Sequence, residues 1–123
     1  MMMLLSHRRI LHPDSLLAAI KLLHTAVWAL MAGSILALPV AALTRHFRWA
    51  LTLTALIACE CGVLAANRGR CPMTDWAARF TSDRAANFDI YLPEWLARNN
   101  KVIFGTLFAV NELFVLWRWL VSR

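Results

Sequence analysis

Residues Trp49 to Ala66, WALTLTALIACECGVLAA, form an apolar stretch long enough to cross a bilayer. Its only formal charge is Glu60, near the middle. An ionisable group at that depth is costly, so something must satisfy it or use it. Two comparable apolar stretches flank this one. The first carries His24 and the second carries Asn111 and Glu112. The pattern predicts an all-α membrane protein with three transmembrane helices, about residues 22–43, 49–66 and 102–121, in a single integral membrane domain.

Composition supports this reading and narrows the partners. The 123 residues are 60% hydrophobic, against roughly 45–50% in soluble domains. The excess sits in three blocks, which leaves no room for a second domain. A net charge of +6 fits helix flanks beside anionic lipid headgroups better than a nucleic-acid groove, since no basic run carries interleaved aromatics. The expected partners are the lipid bilayer and a second copy or another membrane protein, with no nucleic acid.

Taken in order, residues 1–14 do not make a good signal peptide, because the apolar part precedes Arg8 and Arg9. Ser15 is a candidate cap for the first helix. Ala29, Gly33, Ala37 and Ala41 recur every four residues in the first span, a small-residue stripe that lets another helix approach. On the second span Ala55, Ala58, Cys59, Gly62, Ala65 and Ala66 share one face, with Glu60 roughly opposite. Both faces of that span call for a protein neighbour, which invites an oligomer. On the third span Gly105, Ala109 and Glu112 share a face, and Asn111 shares another with Arg118, which can snorkel to the interface.

Residues 67–101 form the one long loop. Within it CPMTDWAARF predicts a short helix with Thr74 as N-cap, and LPEWLARNN a second one ended by Asn99 or Asn100. Trp76, Phe80, Phe88, Tyr91 and Trp95 place these pieces at the headgroup level. Three spans put the N-terminal segment and this loop on one side, with nine Lys and Arg residues against four on the other. The positive-inside bias then makes the N-terminus and the loop cytoplasmic.

Depth decides which polar groups can meet. At 1.5 Å per residue, His24 lies about 3 Å inside the cytoplasmic boundary, Glu60 about 10 Å and Glu112 about 15 Å. A His24, Glu60, Asn111 and Glu112 cluster is therefore the candidate site. It could relay protons, bind a metal or hold a quinone headgroup, or serve as an interhelical hydrogen-bond clamp. The sequence names no cofactor. No HxxxH or ExxH spacing exists on any span, so no metal site is expected from one helix. His7, His12 and His46 read as solvated surface residues. Cys59 and Cys61 read as small buried apolar residues that point opposite ways. Cys71, beside Arg68 and Arg70, is a candidate reactive thiol, although no histidine is near it in sequence. No nucleophile elbow, phosphate loop or zinc-protease motif appears, which argues against an enzyme.

The set of Leu22-Leu23-His24, then Glu60, then Cys71-Pro72-Met73-Thr74 resembles a family of small bacterial inner-membrane proteins with a domain of unknown function. Members carry a histidine in the first helix, a glutamate in the second and a Cys-Pro-Leu-Thr motif. Here Met73 stands for the leucine, and the eleven residues from Glu60 to Cys71 make a longer gap. The run Asn87 to Trp95 is the most distinctive text in the chain. The resemblance implies a membrane protein without an assigned activity. The leading expectation is a small membrane subunit or scaffold. The alternative is a redox, metal-binding or proton-coupled component using His24, Glu60 and Glu112.

Overall fold

A computed structural model describes residues 13–123, which are all-helical with no strand. The readings of residues 1–12, including His7 and His12, lie outside the described residues. Helices α1 (Pro13–Leu43), α2 (Phe47–Ala66) and α4 (Glu94–Ser122) are each long and apolar enough to cross a membrane, and α3 (Pro72–Ala77) is one short turn between them. Helix α1 is the centre. It packs on both α2 and α4, whereas α2 and α4 barely touch each other.

The core shows why. On α1, Ile35, Leu38 and Ala41 fall on one stripe at spacings of three, and Leu38 is fully buried. Ala50 and Ile57 of α2 close on that stripe from one side, with Leu53 between them. Phe104, Leu107, Phe108 and Val115 of α4 lie against it from the other, although no residue of α4 is fully buried. Most of α4 therefore presents apolar surface outward, including Val102, Val110, Leu113 and Leu120.

The turn between α1 and α2 is a Schellman motif. Arg45 takes a left-handed φ of 60°, the N–H of His46 reaches Ala41 O at 2.9 Å, and the N–H of Arg45 reaches Ala42 O at 3.2 Å. The end of α2 repeats the device, with Arg68 left-handed and the Gly69 N–H bonded to Leu64 O at 2.6 Å. Gly69 itself has φ 80°, a conformation that suits glycine, and its carbonyl accepts from Lys101 Nζ.

Several expected boundaries move. Helix α1 runs from Pro13, so Ser15 lies inside its first turn rather than capping it; a proline there suits the start of a helix. Thr74 is not the N-cap of α3. Cys71 holds that position in an extended conformation, with Pro72 as the first helical residue and Thr74 inside the helix. The loop ends at Pro93, because LPEWLARNN is the beginning of α4 and not a separate helix. Asn99 and Asn100 do not stop it: Asn99 donates back to Trp95 O at 2.8 Å, and Asn100 accepts from Trp28 Nε1 at 2.7 Å. Asn99 back-bonds the carbonyl four residues earlier in its own helix and Asn100 is taken up by Trp28, so the helix continues through both.

Cys59 and Cys61 are exposed rather than buried. The whole small face of α2 (Ala55, Ala58, Cys59, Gly62, Ala65 and Ala66) is exposed, and a Cβ added at Gly62 would meet nothing within 4 Å. The stripe on α1 is split, with Ala29 and Gly33 exposed and Ala41 buried. The small face of α2 is thus left outside the bundle, while the core takes in Ala41 and Ala50 beside its large apolar side chains.

Candidate functional site

A cavity of about 430 Å³ lies among α1, α2, α4 and the loop that joins α2 to α4. The same face of α2 that buries Ala50 and Ile57 continues through Glu60, Cys61 and Leu64, and these now line the cavity. From α1 come His24, Trp28 and Met31, and from α4 come Phe104 and Phe108. The loop closes over the top with Cys71, Thr74 and Asp89.

The loop is pinned to α1 by two adjacent residues. The Tyr91 N–H donates to Thr25 Oγ1 at 2.9 Å, and Thr25 in turn donates to Lys21 O at 2.7 Å. Lys21 Nζ lies 4.6 Å from the Tyr91 ring centroid, a cation–π contact. One residue back, His24 Nδ1 sits 3.0 Å from the Asp89 backbone oxygen and 3.5 Å from its Oδ2. The backbone oxygen can only accept, so Nδ1 carries a proton and donates. Thr74 Oγ1 donates to the same Oδ2 of Asp89. Cys71 faces the same cavity as His24 and Asp89. The His24 and Asp89 side chains are only 14% and 8% exposed.

The four residues of the sequence-based cluster do not meet at one point. His24 and Glu60 share the loop-side cavity, where Glu60 has no hydrogen-bond partner among the described residues. Glu112 lines a different cavity, near the turn between α1 and α2, and its Oε1 accepts from Thr54 Oγ1 at 2.6 Å. Asn111 donates from Nδ2 to Ile35 O at 2.8 Å. That carbonyl is the one deprived of its helical partner by Pro39, four residues on, which has no N–H to give. Arg118 bonds Ala42 O and Leu43 O, both at 3.3 Å, and so covers the last carbonyls of α1 with a cation. His46 is exposed as expected, and its Nδ1 is hydrogen-bonded with Thr44 Oγ1 at 2.7 Å.

Cys71 therefore shares a cavity with a histidine after all, one supplied by α1 and 47 residues earlier in the chain. Asp89 escaped sequence reading altogether. Its only signal is its place in the distinctive Asn87 to Trp95 run, where an acid stands among apolar residues. Among the described residues, no three His, Cys, Asp or Glu side chains are grouped to hold a metal ion. No family model, curated protein or solved structure matches the chain.

Proposed function

We propose that this chain is a small multi-pass inner-membrane protein that works as a subunit, with α2 packing on a second copy or on another membrane protein. The observation that carries this reading is the exposed small face of α2. Small residues let helix backbones approach closely and fit lipid tails poorly, so such a face is enriched where membrane helices meet. The large apolar residues left outside on α4 suit lipid directly. The resemblance to small bacterial inner-membrane proteins supports the same location.

Cys59 lies on that face and gives the test. A variant keeping Cys59 alone, with Cys61→Ala and Cys71→Ser, is oxidised in native membranes. A cross-linked band at twice the monomer mass, lost on Gly62→Leu, identifies a second copy; a band at another mass identifies a different partner. Monomer alone under all conditions overturns the subunit reading. For orientation, the nine-to-four basic count supports a cytoplasmic loop. A reporter fused after Arg84 should read as cytoplasmic and one at the C-terminus as periplasmic; the opposite result at both sites reverses the assignment. The alternative reading, a proton-coupled or redox component using His24, Glu60 and Glu112, draws support from only two of these residues sharing a cavity.

A further inference from the structure

We propose that Cys71 is the nucleophile of an acyl-transfer site in the loop-side cavity, with His24 as its general base, Asp89 as the residue that positions His24, and a long-chain acyl ester or thioester as the substrate class. The inference is independent of the subunit reading, since none of these residues lies on the outward face of α2.

The geometry supplies the roles one at a time. His24 Nδ1 is committed to Asp89, whose backbone oxygen and Oδ2 both face it. That fixes the tautomer and leaves Nε2 as the basic nitrogen, the arrangement a nucleophile–base–orienter set requires. The Asp89 carboxylate is held in turn by Thr74, and the Thr74 N–H bonds Cys71 O at 2.9 Å. The turn that carries the thiol and the residue that orients the base are thus tied together. The Tyr91–Thr25 bond then fixes both against the helix that carries His24.

The cavity indicates the substrate. Its walls are mostly apolar, with Trp28, Leu64, Phe104 and Phe108 supplied by the three membrane-length helices, and Glu60 and Lys101 stand among them. His24 sits about three turns into α1, at the level where Asp89 and Tyr91 of the loop meet that helix. An electrophile reaching Cys71 through this cavity has a hydrocarbon tail within the helices and a carbonyl at their polar edge. An acyl chain in ester or thioester linkage has that form.

The step balances without an oxidant or a reductant. Cys71 Sγ attacks the carbonyl carbon and forms the S–C bond, while the thiol proton passes to His24 Nε2. Collapse of the tetrahedral adduct breaks the C–O bond, or the C–S bond of a thioester. His24 returns its proton to the departing alcohol or thiol. Water or an acceptor hydroxyl then takes the acyl group from Cys71 by the same steps, and the thiol is restored.

The test uses the full chain in detergent micelles with p-nitrophenyl acetate, p-nitrophenyl palmitate, palmitoyl-coenzyme A and dipalmitoyl phosphatidylethanolamine as donors. The expected result is a hydroxylamine-labile palmitoyl group on the Cys71 peptide and none on Cys59 or Cys61. Palmitate should react faster than acetate. The coenzyme A and phospholipid arms show whether the chain takes its acyl group from a thioester or from a lipid ester. His24→Gln should slow acylation by about a hundredfold or more. Asp89→Asn keeps an acceptor for Thr74 and the backbone oxygen for His24, and should lower the midpoint of the pH–rate profile, a change that a purely structural role would not produce. Equal labelling of all three cysteines, no adduct from any donor, or an Asp89→Asn profile with an unmoved midpoint overturns the proposal. So does unchanged Cys71 acylation in a His24→Gln protein with the parental melting temperature.

Discussion

The two ends of the helix bundle treat the same kinds of residue in opposite ways. At the end where α1 turns into α2, each polar group within an apolar stretch is absorbed by one structural debt of the fold. Asn111 answers the carbonyl that Pro39 leaves open, Arg118 answers the last carbonyls of α1, and Glu112 takes the Thr54 hydroxyl. At the loop end, polar groups from α1, α2 and two parts of the loop converge on a cavity. There Glu60 has no partner among the described residues, and an imidazole–carboxylate pair shares the cavity with a thiol. A polar residue in a membrane-length helix is thus better judged by what the backbone beside it lacks than by its depth or its chemistry.

Five substitutions sharpen this contrast, and the largest effect belongs to the end where α1 turns into α2. Asn111→Leu should destabilise the bundle by about 1 to 3 kcal/mol, the cost of an unsatisfied buried carbonyl. Thermal or denaturant unfolding in micelles would measure it. Pro39→Ala in the same chain should recover most of that loss, because residue 39 then donates its own N–H to Ile35 O. A double mutant no more stable than Asn111→Leu alone would remove the Pro39 explanation.

Thr54→Val should cost about 0.6 kcal/mol, the average for a side-chain hydrogen bond between membrane helices. Glu112→Gln should cost little beside it, since the amide oxygen can still accept. A Glu112→Gln loss larger than that of Thr54→Val would mean that the carboxylate has work beyond the Thr54 bond.

At the loop end Glu60→Gln should leave stability within about 0.5 kcal/mol of the parent, because Glu60 makes no hydrogen bond among the described residues. A large loss would show that Glu60 is as structural as Asn111, and the contrast between the two ends would fail.

The helical fold was legible because membrane-length apolar runs leave the chain few alternatives. Helix ends were less so. Nothing in Asn99-Asn100 announces that one side chain bonds its own helix and the other Trp28, and a pair of asparagines read alone suggests a stop. The polar cluster was read from depth, which fixes a position along each helix but not the direction in which a side chain leaves it. Asn111 and Glu112 are adjacent and at nearly equal depth, yet one faces α1 and the other α2. Cys71 was visible as a thiol among arginines, but its histidine arrives through the packing of the loop on α1, a contact with no local sequence signal. The small faces were seen correctly as faces. Their exposure was not foreseeable, because the same pattern would have served equally well inside the bundle.

The Asn111 bond also sets an order of events. Its two partners are 76 residues apart, so Ile35 and Pro39 leave the ribosome well before the residue that completes them. At roughly 5–20 residues per second, the α1–α2 hairpin waits about 4 to 15 s for Asn111. Through that interval the first span carries an open acceptor, and α4 is the last piece able to close it. Assembly of this small bundle is therefore completed from its C-terminal end.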